Sequence, residues 1–170
     1  MGNFNFKELK YYKDNIMLKL LASDNLVKAL VNTSVNFLDV ALPVGFDNES
    51  LKYTQIYPYK KASSKIEGIK SYITMAFDNF RPVDKSKEIK SGRIVFFIIV
   101  HEDLMMTNKG LRTDYILSEI DGILNGLHGI GIGGVELIDA GDFNLGESSN
   151  YMGICVMYKI TDFQIGIKDV

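Results

Sequence analysis

Ile94-Val95-Phe96-Phe97-Ile98-Ile99-Val100 constrains the chain more than any other stretch. Its seven residues are all β-branched or aromatic, and the run is too short to span a membrane. An uninterrupted apolar run of this length reads as a strand covered on both faces, because an edge or half-exposed strand would alternate with polar residues. A polar turn, His101-Glu102-Asp103, and a Thr107-Asn108-Lys109-Gly110 connection follow. Leu111, Tyr115, Ile116, Ile120, Ile123, Leu124 and Leu127 then recur at helical spacing. The opposite face of that helix is expected to expose Arg112, Asp114, Ser118, Glu119, Asp121 and Asn125, with Asn125-Gly126 as its stop signal. A buried strand feeding a helix that packs back on it nucleates an α/β or α+β sandwich.

The remaining segments attach to this nucleus. Residues Lys7 to Leu21 place Leu9, Tyr12, Ile16, Leu20 and Leu21 on one side, predicting an amphipathic helix. Ser23-Asp24 caps a second, shorter helix over Leu26 to Val31. From Asp39 to Gly68 any period is broken by Pro43, Gly45, Asp47-Asn48-Glu49-Ser50 and Tyr57-Pro58-Tyr59. This segment is expected to be an extended arm lying on a neighbouring chain or on its own domain. Ile69 to Asp78 alternates as a strand with one core face, and the Asp84 to Gly92 loop joins it to the central strand as a hairpin with a basic tip. Val135 to Ile138 and Tyr151 to Phe163 form a second hairpin after the main helix. The expectation is one α+β domain over residues 1–170, with N-terminal helices over 1–35, the arm over 39–68, and the sheet with its main helix over 69–163. Its mainly antiparallel four-stranded sheet is packed with helices in the order α-α-β-β-α-β-β.

With 170 residues, 46% hydrophobic and 24% charged, the chain has the composition of one ordinary globular domain. A net charge of -2 and a pI near 5.7 argue against a surface that grips nucleic acid everywhere. The single Cys155 excludes an internal disulfide framework and is expected to be a small buried hydrophobe. No apolar run approaches a membrane span, the N-terminus lacks the order of a signal peptide, and the expected compartment is the cytoplasm. Gly129-x-Gly131-x-Gly133-Gly134 follows a helix and precedes a strand, the reverse of a dinucleotide loop, so a tight crossing is expected there. His101, Glu102 and Asp103 read as turn chemistry, and His128 stands across the helix from them. No catalytic, cofactor or metal site is expected. The candidate subunit or partner contacts are Tyr53, Ile56, Tyr57 and Tyr59 on the arm and Lys85, Lys87 and Lys90 on the hairpin tip. Two rival readings remain: an enzyme using His101, Glu102 and Asp103, and a regulatory binding module reading through its first two helices.

Phe97 to Met105, Gly110 to Ile116 with Asn125-Gly126, Tyr151-Met152-Gly153 and Tyr158 to Phe163 resemble neck and tail-completion proteins of long-tailed bacteriophages and prophages of Gram-positive hosts. The resemblance covers about the last hundred residues and rests on framework motifs. It implies a virion protein with an α+β fold, made in the host cytoplasm and assembled as a ring, a hexamer, that ends the tail tube and docks it to the head connector. The partners implied are further copies of the chain, tube and neck proteins, and double-stranded DNA passing through the lumen without sequence reading. A modest negative charge suits such a lumen, since each neutralised phosphate adds salt-dependent grip.

Overall fold

A computed structural model describes residues 6–61, 67–82, 89–125, 135–143, 145–146 and 149–163. The chain runs α1 (Phe6–Ala22), α2 (Asp24–Val31), β1 (Ile56–Tyr57), β2 (Ser71–Pro82), β3 (Ile89–His101), β4 (Met106–Thr107), β5 (Gly110–Leu111), α3 (Arg112–Leu124), β6 (Val135–Phe143) and β7 (Tyr151–Phe163). The fold is α+β, as expected. The main sheet has five strands in the order β1-β2-β3-β7-β6, so the apolar run sits in the middle strand. Both expected hairpins form: β2 with β3 and β6 with β7 are antiparallel, and β3 with β7 closes the centre.

The helices cover one face. Ile94, Phe96, Ile98 and Val100 alternate toward them, beside Ile73 and Met75 of β2 and Val156, Tyr158 and Ile160 of β7. Ile16, Leu20, Leu26, Leu30, Ile116, Ile120 and Leu124 supply the helical side of this core. On the other face Tyr57, Tyr72 and Ile99 form a second cluster, with Phe143, Leu145 and Tyr151 against it. A strand with Val95 and Ile99 buried on one side and Phe96 and Ile98 on the other has no polar face to show, which explains its composition.

Three expectations need correction. The mainly antiparallel sheet has five strands rather than four and is mixed, because the arm contributes β1, parallel to β2 through Ile56 opposite Ile73 and Tyr57 opposite Thr74. The arm lies on its own domain. It is held there by side-chain amides that periodicity does not reveal: Asn32 Nδ2 donates to the Phe37 and Val40 carbonyls, and from the arm Asn48 Nδ2 donates to the Leu21 carbonyl of α1 and Gln55 Nε2 to those of Leu30 in α2 and Ser71 in β2. Phe37, Leu51 and Ile56 then bury their side chains in the main core.

The second correction is Arg112, expected on the exposed face of α3 and in fact 0% exposed. Its guanidinium donates to the carbonyls of Leu104, Ala29, Asn32 and Ser34 at 2.7 to 2.9 Å and lies 4.6 Å from the Phe37 ring centre. Ala29 and Asn32 are the carbonyl end of α2, where the helix dipole favours a cation. Burial lowers the Arg112 pKa to about 10, which leaves it charged at neutral pH.

The third correction concerns two carboxylates. Glu119 accepts from Tyr115 Oη at 2.9 Å and Ser23 Oγ at 3.2 Å, while that same Ser23 oxygen caps α2 by accepting from the Leu26 amide. Asp121 accepts from Tyr158 Oη at 3.0 Å and so ties α3 to β7. Cys155 is half-buried rather than enclosed, and burial pushes its thiol pKa up.

Candidate functional site

The two flanks of the main sheet end differently. Beyond its pairing with β1 at Ile73 and Thr74, the outer edge of β2 from Met75 to Pro82 has no strand beside it among the described residues. At the other flank, among the described residues, β6 pairs only inward, with β7. Its residues from Glu136 to Asp142 are exposed, and a register shift between Leu137 and Asp139 lets both Leu137 and Ile138 face solvent. A strand edge is a row of unpaired amides and carbonyls, and it recruits further chain unless it is short or blocked.

A cleft of about 720 Å³ opens beside the β6 flank, on the helix-bearing side of the sheet. One wall is the β4–β5 hairpin with the start of α3; the other is the end of β6 and the start of β7. The hairpin is shaped by its own turn: Thr107 Oγ1 donates to the Gly110 carbonyl and accepts from the Lys109 amide, and Gly110 takes φ +97°, a value that favours glycine. Asn108 N donates to the Val35 carbonyl, anchoring the hairpin to the end of the helical pair. Gly153 and Phe143 border the cleft, and an added Cβ at Gly153 would fall 2.2 Å from the Phe143 ring, which packs on the face of the sheet away from the helices. That ring also packs edge-on against Phe97 at 5.4 Å. Met106 is 70% and Met152 56% exposed at the mouth, with Leu111 nearby. Asp114 and Asp142 line the cleft, no Lys or Arg lines it, and neither carboxylate has an ion pair among the described residues. An apolar recess with carboxylates and no cation selects apolar groups flanked by positive charge.

The contact residues expected from the sequence are scattered. Ile56 and Tyr57 are buried inside the protomer, so the arm leaves only Tyr53 and Tyr59 exposed. Tyr53 has φ 60°, an unfavourable left-handed conformation for a tyrosine, held by its amide donating to the Ile56 carbonyl. Lys85 and Lys87, like His128 and the glycines from Gly126 to Gly134, lie outside the described residues; Lys90 is in β3, paired with Pro82 and Asp162. None of the expected residues that are described lines the cleft. Its signal in the sequence was weak: Met106, Leu111 and Met152 are apolar residues in segments that read as connections or an alternating strand, and only the fold brings them together.

His101, Glu102 and Asp103 form a tight turn. His101 Nδ1 accepts from the Asp103 amide at 3.2 Å, its ring stacks edge-on on Tyr151 at 5.1 Å, and Glu102 N donates to the Asn150 carbonyl. The His101 side chain is thus engaged in local structure, with Glu102 and Asp103 contributing their backbone amides. Among the described residues no group of three His, Cys, Asp or Glu is placed to hold a metal ion, and no described helix is long and apolar enough to cross a membrane.

The framework just described, β3 through α3 to β7, is the part of the chain that resembles phage proteins, and a family comparison gives that class: the chain is phage-derived. It belongs to the YomW family, a family of proteins of SPbeta-like prophages, whose model matches residues 23–160. The match begins at the Ser23 cap and runs to Ile160, a buried residue of β7. No curated protein matches the chain.

Proposed function

We propose that this YomW-family chain is a structural virion protein that forms a ring, a hexamer, at the phage neck. There it ends the tail tube and joins it to the head connector, and double-stranded DNA passes through its lumen without being read. The observation that carries this reading is the sheet with two free edges of different identity, β6 on one flank and the outer stretch of β2 on the other. Like edges would pair copies face to face; unlike edges favour head-to-tail contacts, which close into a ring when the rotation between copies allows it. Phage descent supports placing such a ring in a virion. The strained, exposed Tyr53, together with Tyr59 and the Lys85, Lys87 and Lys90 hairpin, are the surfaces proposed to touch neighbouring neck proteins or the lumen.

Deleting the gene from an inducible prophage tests the assignment. Full heads and separate tails, with joining restored by the purified protein, are the expected result. Normal, joined particles from the deletion strain, or absence of the chain from purified virions, would end the neck reading.

A further inference from the structure

One helix has apolar residues where it should have none. α1 buries Tyr12, Ile16 and Leu20 against the core, yet Tyr11 is 58% and Leu18 54% exposed on its outer side, one repeat of seven apart. Asp14, exposed between them, pairs with Lys10 at 3.6 Å, and Lys19 stands exposed beside Leu18. A surface helix with a second apolar stripe has an unsatisfied face. This stripe lies over the β2 flank, since Lys13 Nζ from the same helix sits 5.6 Å from the Phe77 ring centre. The methionine-lined cleft lies over the opposite flank and on the same side of the sheet.

We infer that copies of this chain associate head to tail, the outer face of α1 and the free edge of β2 in one protomer seating against the cleft and the outer edge of β6 in the next. Three independent matches converge on it. Tyr11 and Leu18 offer apolar anchors, and the cleft mouth offers Met106 and Met152. Exposed Lys19 complements Asp114 and Asp142 of the cleft. The strand directions also fit: β6 runs against β7, β7 against β3 and β3 against β2, so continuing the sheet from β6 into the next copy's β2 makes an antiparallel pair. Laying edge on edge brings the neighbour's α1 to the cleft, because both sit on the helix side. The inference deepens the ring reading by naming its two surfaces, and it does not depend on where in the virion the ring acts.

Cross-linking between two variants tests it in the full chain. With Cys155→Ser as background, Leu18→Cys and Met152→Cys chains of distinguishable mass are mixed at high concentration with a short bismaleimide. The expected product joins one chain of each kind, and pairs of identical variants stay rare. Lys19→Glu should reduce that product several-fold, and Asp142→Lys on the partner chain should restore it. Equal yields of like and unlike pairs, or no product, would overturn the inference. A ring seen by native mass spectrometry without this product would leave the ring standing and remove the two surfaces. The mixed product from a chain absent from virions would do the reverse, keeping the surfaces and ending the neck assignment.

Discussion

The β2 flank and the β6 flank belong to one sheet but obey different rules. At the β2 flank two helices, the arm and β1 converge, and Arg112, Gln55, Asn32 and Asn48 donate to the carbonyls of Ala29, Leu30, Phe37 and Leu21. At the β6 flank a nine-residue strand shows its outer edge, with Leu137 and Ile138 in solvent and a cleft beside it. The protomer thus concentrates its internal stability on one side and leaves apolar and hydrogen-bonding capacity unmatched on the other. If that division is real, substitutions at the β2 flank should act on folding and those at the β6 flank on association.

The largest effect is expected at Arg112. Arg112→Met removes four charge-assisted hydrogen bonds and strands the carbonyls of Leu104, Ala29, Asn32 and Ser34. Each orphaned buried acceptor costs about 1–3 kcal/mol, and domains are stable by only about 5–15 kcal/mol, so the variant should be largely unfolded. Urea unfolding followed by circular dichroism checks this, and a midpoint close to wild type would show the buried cation to be dispensable. Next comes Ile56→Ala on the arm, expected to cost about 2–5 kcal/mol as a buried large-to-small change. A cost near zero would mean that the arm is a tether rather than part of the core.

These two positions also show what the sequence disclosed. The nucleus was legible because its signals are local: an all-apolar run, a helical period, and a cap at Ser23 that the structure reproduces through the Leu26 amide. Both hairpins followed from alternation. Arg112 was misread because charge implies exposure by default, and its four acceptors lie in a loop before α3 and in segments some eighty residues earlier. The arm was read as long and irregular, which it is, but its order comes from Gln55 and asparagine amides bonding to distant carbonyls, and such bonds leave no periodic trace. The cleft was invisible for the same reason, since its walls come from segments about forty residues apart.

On the open side, Gly153→Ala should cost about 1–3 kcal/mol because the new Cβ must displace the Phe143 ring. Wild-type melting would show that the ring moves freely. Tyr158→Phe, at the seam between the two sides, removes the bond to Asp121 and should cost about 1 kcal/mol at neutral pH. Burial first, then Asp121, raises the Tyr158 pKa, so the folded state holds its proton after the unfolded phenol, near 10, has lost its own. That contribution is full below pH 10 and is lost as pH rises through the higher folded value. Burial and Glu119 raise Tyr115 to about 12, adding to the same alkaline decline, while the lowered Arg112 value acts oppositely above about 10. Both are common to wild type and variant, so the variant should lose less stability than wild type between pH 10 and 12. Parallel curves would mean that Tyr158 ionises as freely folded as unfolded.

The smallest effect on folding carries the most weight for the comparison. Leu137→Ser and Ile138→Ser replace exposed side chains on an edge strand, so each should change stability by less than about 0.5 kcal/mol. In an isolated protomer nothing else depends on them, because β6 keeps its inward hydrogen bonds to β7 whatever points outward. Association should respond differently: apolar side chains at a pairing edge lose solvent when a second strand arrives, and serine gives up that gain while leaving the backbone donors in place. The double variant should therefore melt like wild type yet need several-fold more protein to reach the same oligomer fraction in analytical ultracentrifugation. If it instead melts well below wild type and associates unchanged, the β6 flank serves the fold after all, and the division of labour between the two flanks fails.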